Sequence, residues 1–231
     1  MRIAGWQKVS MVDYPEKIST VVFTPGCNFD CYYCHNRDLI HPKDAIECVP
    51  SEEIFTYLMK RKGMIDALVI SGGEPTLQRG LASFIQTAKN TGVLIKLDTN
   101  GSRPEVLSNL LDQGLLDFIA MDIKAPIHKT QKITTVQTYN DQIRESIQLI
   151  MNYAPDYEFR TTVAPTLSKE DLLEISLLIQ GAKRYAIQQY KKPENNCQDP
   201  RLLLEAHPQS FFTKIQPLLE QNVKQVDIRG L

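Results

Sequence analysis

The chain has no excess of either charge, with 26 Lys and Arg against 27 Asp and Glu in 231 residues and a formal net charge of -1. A surface so balanced has no field with which to hold a polyphosphate backbone, which argues against dedicated nucleic-acid binding. No uninterrupted apolar run approaches the roughly 20 residues that a membrane span needs, and the opening MRIAGWQKVSMVDYP lacks the apolar stretch of a secretory signal. The expectation is a cytoplasmic protein with no membrane partner. Low-complexity tracts, Gly- or Ser-rich linkers and close repeats are missing too, so 1–231 is expected to fold as a single domain. Five cysteines, an odd number in a chain too large to need covalent staples, argue against a disulfide framework.

What is present is an alternation. Short β-branched runs at 20–24 (TVVFT), 67–71 (ALVIS), 94–97 (LIKL), 118–123 (FIAMDI), 158–163 (EFRTTV) and 185–188 (YAIQ) are separated by segments of helical period. Leu81, Phe84, Ile85 and Ala88 make one apolar stripe, and Ile143, Ile147, Ile150 and Met151 another. Ser51 reads as an N-cap, Ser168 with Asp171 as a capping box, Pro104 as a first helical residue and Gly114 as a stop, while Pro217 interrupts the last helical pattern. Strands alternating with helices require right-handed parallel crossovers, and six such units curl into an open or partly closed α/β barrel.

Parallel barrels bind ligands at the C-terminal ends of their strands. Cys27 follows the first predicted strand, Gly72-Gly73-Glu74 the second and Asp98-Thr99-Asn100-Gly101 the third, and Asp122 and Lys124 end the fourth, so all are expected on one rim. Cys27, Cys31 and Cys34 form a CxxxCxxC loop that can hold three corners of a 4Fe-4S cluster and leave the fourth iron open. A structural zinc completed by His35, His41 or Cys48 is the plainer alternative. Cys48 and Cys197 are isolated and read as structural thiols. Gly72 and Gly73 allow positive φ and close backbone approach to a ligand, and Glu74 can accept from an ammonium; the plain alternative is an ordinary strand-to-helix turn. Asp98 and Asp122 can take ribose hydroxyls or a cation, with Lys124 available to a carboxylate, unless these charges simply pair with one another.

These motifs together resemble the radical S-adenosylmethionine enzymes, and within them the activating enzymes of glycyl-radical proteins. CxxxCxxC followed by Gly-Gly-Glu is specific to the superfamily, and Cys34-His35-Asn36 after Tyr33 is typical of the activases. The run from Gly5 to Pro15 (GWQKVSMVDYP), with 21–27 (VVFTPGC), is most similar to activating proteins of anaerobic ribonucleoside-triphosphate reductase. The resemblance implies a partial (β/α)6 TIM-like barrel, one 4Fe-4S cluster on Cys27, Cys31 and Cys34, and S-adenosylmethionine as cosubstrate. It implies Tyr33, Cys34 and His35 beside the adenine, Gly72, Gly73 and Glu74 at the methionine ammonium, Asp122 near the ribose and Lys124 near the carboxylate. Arg160 and Val163 would face the cofactor, and Asp98, Thr99 and Asp122 would line a monovalent-cation site. Where relatives carry a Tyr-His pair after the sixth strand, this chain has Gln188-Gln189-Tyr190-Lys191.

The implied reaction is reductive cleavage of S-adenosylmethionine to a 5'-deoxyadenosyl radical, which removes a Cα hydrogen from a glycine of a partner glycyl-radical enzyme. A flavodoxin- or ferredoxin-type reductant would supply the electron. Lys60-Arg61-Lys62 and Lys191-Lys192 could receive an acidic partner surface. Rival readings are a radical enzyme acting on a small molecule and, outside catalysis, an iron-sulfur electron carrier or zinc-stabilised binding module.

Overall fold

The computed structural model describes residues 1–40, 47–136, 139–192 and 199–231. Eight strands form one sheet whose spatial order follows the sequence: β1 (Gly5–Ser10), β2 (Ser19–Thr24), β3 (Ala67–Gly72), β4 (Leu94–Thr99), β5 (Phe118–Asp122), β6 (Tyr157–Val163), β7 (Tyr185–Gln189) and β8 (Val226–Arg229). β1 runs antiparallel to β2, and every later pair is parallel. The crossovers carry α1 (Arg37–Ile40), α2 (Ser51–Lys60), α3 (Leu81–Lys89), α4 (Pro104–Asp112), α5 (Thr130–Thr134), α6 (Asn140–Tyr153), α7 (Lys169–Leu178) and α8 (Gln209–Leu219). With β1 and β8 left as edges, the sheet is a partial barrel. No helix among the described residues is long and apolar enough to cross a membrane.

All six expected strands are present, but the sheet has seven parallel strands rather than six, plus the antiparallel β1. The two additions have weak local signals: β8 is four residues long, and β1 exposes most of its side chains. Ser51 is the first residue of α2 rather than its cap, a position held by Pro50 without a side-chain bond. The Ser168–Asp171 capping box forms as expected. Pro217 lies inside α8, where burial of Phe212, Ile215 and Leu219, each worth about 2 kcal/mol, outweighs about 3 kcal/mol for an internal proline.

Strand alternation divides the sheet into two faces. Leu68 and Ile70, Ile95 and Leu97, and Ile119 and Met121 belong to the large apolar core that also holds Phe84, Ile85, Leu107 and Ile147 from the helices. The intervening residues face the barrel interior, where Val21, Ala67, Val69, Phe118 and Ala120 form a small cluster closed by Tyr14. Above that cluster the interior becomes polar.

Candidate functional site

A cavity of about 290 Å³ opens at the C-terminal ends of β2 to β7. It is lined by Cys27, Cys31 and Cys34, by Tyr33 and His35 between and after them, and by Gly72, Gly73 and Glu74. Asp98 and Thr99, Asp122 and Lys124, and Arg160 complete the set of expected residues brought to it. Val163 is the exception and corrects the expectation: it is fully buried in the outer core, because a strand turns successive side chains to opposite faces. Thr162, two residues from Arg160, lines the cavity in its place. His41 and Cys197 lie outside the described residues, and Cys48 is exposed and away from the cavity lining.

The cysteine loop is fixed by the chain itself. The Cys34 amide donates to the Cys31 carbonyl at 3.0 Å, and the Asp30 amide donates to the Thr134 carbonyl at the end of α5 at 2.9 Å. Arg37 pairs with Asp30 at 2.9 Å, and the Tyr32 and Thr166 hydroxyls lie 3.1 Å apart. Burial pushes the Cys27 thiol up to about 11 and Cys31 up to about 12, and moves Cys34 upward as well. Without a metal all three are therefore protonated at neutral pH, and binding one must release those protons.

The glycine pair has a steric reason within the fold. Gly72 adopts φ +113°, and a Cβ there would lie 2.4 Å from the Thr24 nitrogen. A Cβ on Gly73 would lie 2.0 Å from the Gly26 carbonyl oxygen. The close approach expected toward a ligand is thus also an approach of two rim loops, sealed by Gly73 N–H to Thr24 O and Glu74 N–H to Gly26 O, both at 2.8 Å.

Glu74 is 1% exposed and its carboxylate is largely spent on the protein. Its Oε1 accepts from the Thr76 amide at 3.1 Å, the Thr76 hydroxyl at 2.6 Å and the Thr99 hydroxyl at 2.8 Å, while Oε2 accepts from the Asn100 amide at 2.7 Å. Burial raises its pKa against the pull of those bonds. Expected at a ligand ammonium, it ties the Gly-Gly loop to the end of β4.

A ladder of charge runs across the interior. Register places Asp122 beside Arg160 and Thr162 beside Gln188, with all four side chains on the inner face. Arg160 Nε donates to Asp122 Oδ1 at 2.8 Å and a terminal nitrogen reaches Asp98 Oδ2 at 3.3 Å. Lys124 Nζ meets Asp122 Oδ2 at 2.9 Å, and Lys96 Nζ meets Asp98 Oδ1 at 2.7 Å. Burial alone would raise both aspartates, but the Arg160 charge, with Lys124 beside Asp122 and Lys96 beside Asp98, holds both below the usual carboxylate range. Conversely, burial would lower Lys124, and Asp122 holds it well above the usual lysine value. The pairing alternative is realised, and Asp122 and Lys124 still face the cavity.

Sequence reasoning missed Lys96, Thr162 and Ser71, and placed Asn100 on the rim without a role. Alternation from Arg160 points to Thr162, and a lysine within the apolar run LIKL was a signal for Lys96. Asn100 is fixed by Asn28, which accepts from its side-chain amide at 2.9 Å. Gln188 lines the cavity, whereas Gln189 turns away to donate to the His207 carbonyl at 2.9 Å. Tyr190 packs edge-on against Tyr33, with ring centroids 6.4 Å apart. Of the two basic clusters, Lys191-Lys192 follows β7 on the cavity rim, and Lys60-Arg61-Lys62 precedes β3 at the opposite end of the sheet.

The residues present suit a polynuclear cluster and an adenosyl ligand. Three thiols face one cavity, yet among the described residues no three His, Cys, Asp or Glu side chains converge to hold a single ion. The buried Tyr33 hydroxyl, on a residue lining the cavity, has no partner among the described residues.

A model of the radical SAM superfamily matches residues 21–179. A Methanocaldococcus jannaschii protein with a provisional name as a glycyl-radical enzyme activating enzyme is 35% identical over 196 residues, covering 82% of this chain and 80% of its own. The pyruvate formate-lyase-activating enzyme of Clostridium pasteurianum is 28% identical over 189 residues, covering 79% and 77%. Streptococcus suis SuiB, solved with S-adenosylmethionine bound, superposes with a TM-score of 0.67 at 12% identity over 91% of this chain. That match spans 52% of SuiB and is a likeness of fold.

Proposed function

This chain belongs to the radical SAM superfamily, and from that premise we propose that it activates a glycyl-radical enzyme. Members of the superfamily use a 4Fe-4S cluster and S-adenosylmethionine. The observation that carries the proposal is the meeting of Cys27, Cys31 and Cys34 with Gly72-Gly73 and the Asp122–Lys124–Arg160 group around one cavity. The three thiols would hold three irons, leaving one for the amino nitrogen and carboxylate of S-adenosylmethionine. When bound, the cluster supplies the electron that cleaves S-adenosylmethionine to methionine and a 5'-deoxyadenosyl radical.

The chain's own residues orient and shield. Lys124, kept charged by Asp122, presents an ammonium to the methionyl carboxylate, and Asp122 keeps lone pairs for the ribose hydroxyls. Backbone carbonyls of the Gly72–Gly73 segment accept from the methionine ammonium, with Glu74 as the positioning residue beneath them. Tyr33 and His35 flank the adenine. Among the described residues the rim carries only short elements such as α1 and α5, which suits a substrate that is itself a loop of protein, from which a glycine Cα hydrogen passes to the adenosyl radical. The product pair is 5'-deoxyadenosine and a glycyl radical.

Within that class we infer that the partner is anaerobic ribonucleoside-triphosphate reductase, on the likeness of 5–15 and 21–27 to its activating proteins, with a flavodoxin- or ferredoxin-type reductant and residues 1–231 acting as one domain. The test is electron paramagnetic resonance of the reduced, reconstituted protein mixed with S-adenosylmethionine and each glycyl-radical protein of its cell. A glycine-centred signal on the reductase is expected. A signal only on another glycyl protein reassigns the partner, and none on any would turn the reading toward a small-molecule substrate.

A further inference from the structure

We propose that Lys96 and Arg160 are built-in cations standing where the family resemblance places a monovalent metal ion, so that S-adenosylmethionine binds here without potassium or sodium. The inference rests on reading the cavity as the S-adenosylmethionine site. The resemblance puts Asp98, Thr99 and Asp122 around such an ion, and in this chain each of their side-chain oxygens already has a donor from the protein, a cationic one on both carboxylates. Asp98 Oδ1 meets Lys96 Nζ at 2.7 Å, and its Oδ2 accepts from the Ser71 hydroxyl at 3.1 Å and from Arg160 at 3.3 Å. Asp122 divides its oxygens between Arg160 Nε at 2.8 Å and Lys124 Nζ at 2.9 Å. The Thr99 hydroxyl donates to Glu74 at 2.8 Å and accepts from the Gly101 amide at 3.1 Å.

Charge decides the matter. Asp98 and Asp122 face three fixed cations, Lys96, Arg160 and Lys124, with Glu158 and Arg229 as a further pair below, so each of these carboxylates already has a cation and an added ion would find none uncompensated. Lys96 is also a permanent resident. It is 2% exposed, its neighbours Ile95 and Leu97 point into the outer core, and its ammonium lies 5.8 Å from the centre of the Phe118 ring. Ordinary ligand contacts give it no employment, since it does not line the main cavity. It lines a second cavity of about 370 Å³ below, which shares Arg160 and Gln188 with the first. Lys96 thus acts through Asp98: it neutralises that carboxylate and leaves the Arg160 guanidinium stretched between Asp98 and Asp122, which fixes Asp122 and Lys124 at the cavity. It is a positioning residue.

The experiment measures S-adenosylmethionine affinity of the reconstituted protein in potassium, sodium or N-methylglucamine chloride at one ionic strength, together with melting of the cluster-free protein in the same salts. The wild type is expected to be flat across the three salts in both readouts. Lys96→Gln is expected to bind about tenfold more weakly in N-methylglucamine, the worth of one charge-assisted hydrogen bond, and to recover most of that loss in potassium or sodium. Lys96→Arg, which restores the charge, is expected to stay flat. Lys96→Met serves as the second variant if glutamine prevents folding. Potassium or sodium that tightens binding by the wild type, or raises its melting temperature above that in N-methylglucamine, overturns the proposal. So does a folded Lys96→Gln or Lys96→Met that those ions leave unchanged. A wild type that binds no S-adenosylmethionine in any salt refutes the reading of the cavity instead, and the melting comparison then decides this proposal by itself.

Discussion

On the outer face of the sheet, Leu68, Ile70, Ile95, Leu97, Ile119 and Met121 are buried against the helices, whereas the inner face of the same strands carries Ser71, Lys96, Asp98 and Asp122, with Arg160 from β6 beside them. The two sets are one residue apart along each strand. Their energetics differ in kind. Each outer side chain contributes about 2 kcal/mol by leaving water, and neighbouring ones can substitute for one another's volume. The inner groups cost free energy when buried and are tolerated only because each cation there has an acid and each acid a cation. The outer face therefore holds the strands in place, and the inner face uses that rigidity to keep charges at fixed distances from the thiols.

The largest effect is expected at the rim. Replacing Cys27, Cys31 or Cys34 by Ala should reduce 5'-deoxyadenosine formation below detection while far-ultraviolet circular dichroism stays unchanged, and Cys48→Ala should leave product formation intact. Activity surviving in the Cys31 variant would separate the thiols from the chemistry. Next comes the ladder. Asp122→Asn leaves Lys124 and Arg160 facing a neutral amide, and should cost about 3 kcal/mol in urea unfolding, together with a loss of S-adenosylmethionine affinity.

The same carboxylates predict a pH dependence. Asp98 and Asp122 have folded pKa values below their ordinary 3.8, so the unfolded chain binds protons first as pH falls. Their stabilisation is complete above the ordinary value and is lost on acidification through the folded values, and unfolding free energy should drop from about pH 5 downward. Asp122→Asn should flatten that drop; an unaltered profile would place the acid sensitivity elsewhere.

Gly73→Ala is expected to cost about 3 kcal/mol, because its methyl group would meet the Gly26 carbonyl, a backbone atom that cannot swing aside. The smallest effect belongs to the outer face. Ile119→Val should lower stability by about 1 kcal/mol and leave S-adenosylmethionine affinity unchanged below the melting temperature. An affinity loss there, comparable to that of Asp122→Asn, would erase the distinction between the two faces.

Much of this was legible from residue order alone. Period-2 runs located all six expected strands, and the positions of Cys27, Gly72, Asp98 and Asp122 after or at the ends of those strands were enough to gather them on one rim. What escaped has physical reasons. β1 and β8 are edges: β1 exposes Gln7, Lys8 and Val9, and β8 is only four residues long, so neither gives much hydrophobic contrast. Val163 was misplaced because resemblance was followed where strand parity from Arg160 would have chosen Thr162. Glu74 could be seen as an acid near the site, but only the folded chain reveals that Thr76, Thr99 and Asn100 already occupy it. Gly73 looked like an opening for ligand, and half of its reason lies in Gly26, 47 residues earlier in the numbering.

The most direct test of the central claim is quantification of 5'-deoxyadenosine from protein purified and reconstituted without oxygen, reduced strongly and given S-adenosylmethionine. The account predicts product together with four irons and four sulfides per chain, as three thiolates and an open iron require. Protein that retains zinc, or that assembles the cluster and leaves S-adenosylmethionine whole, would contradict it.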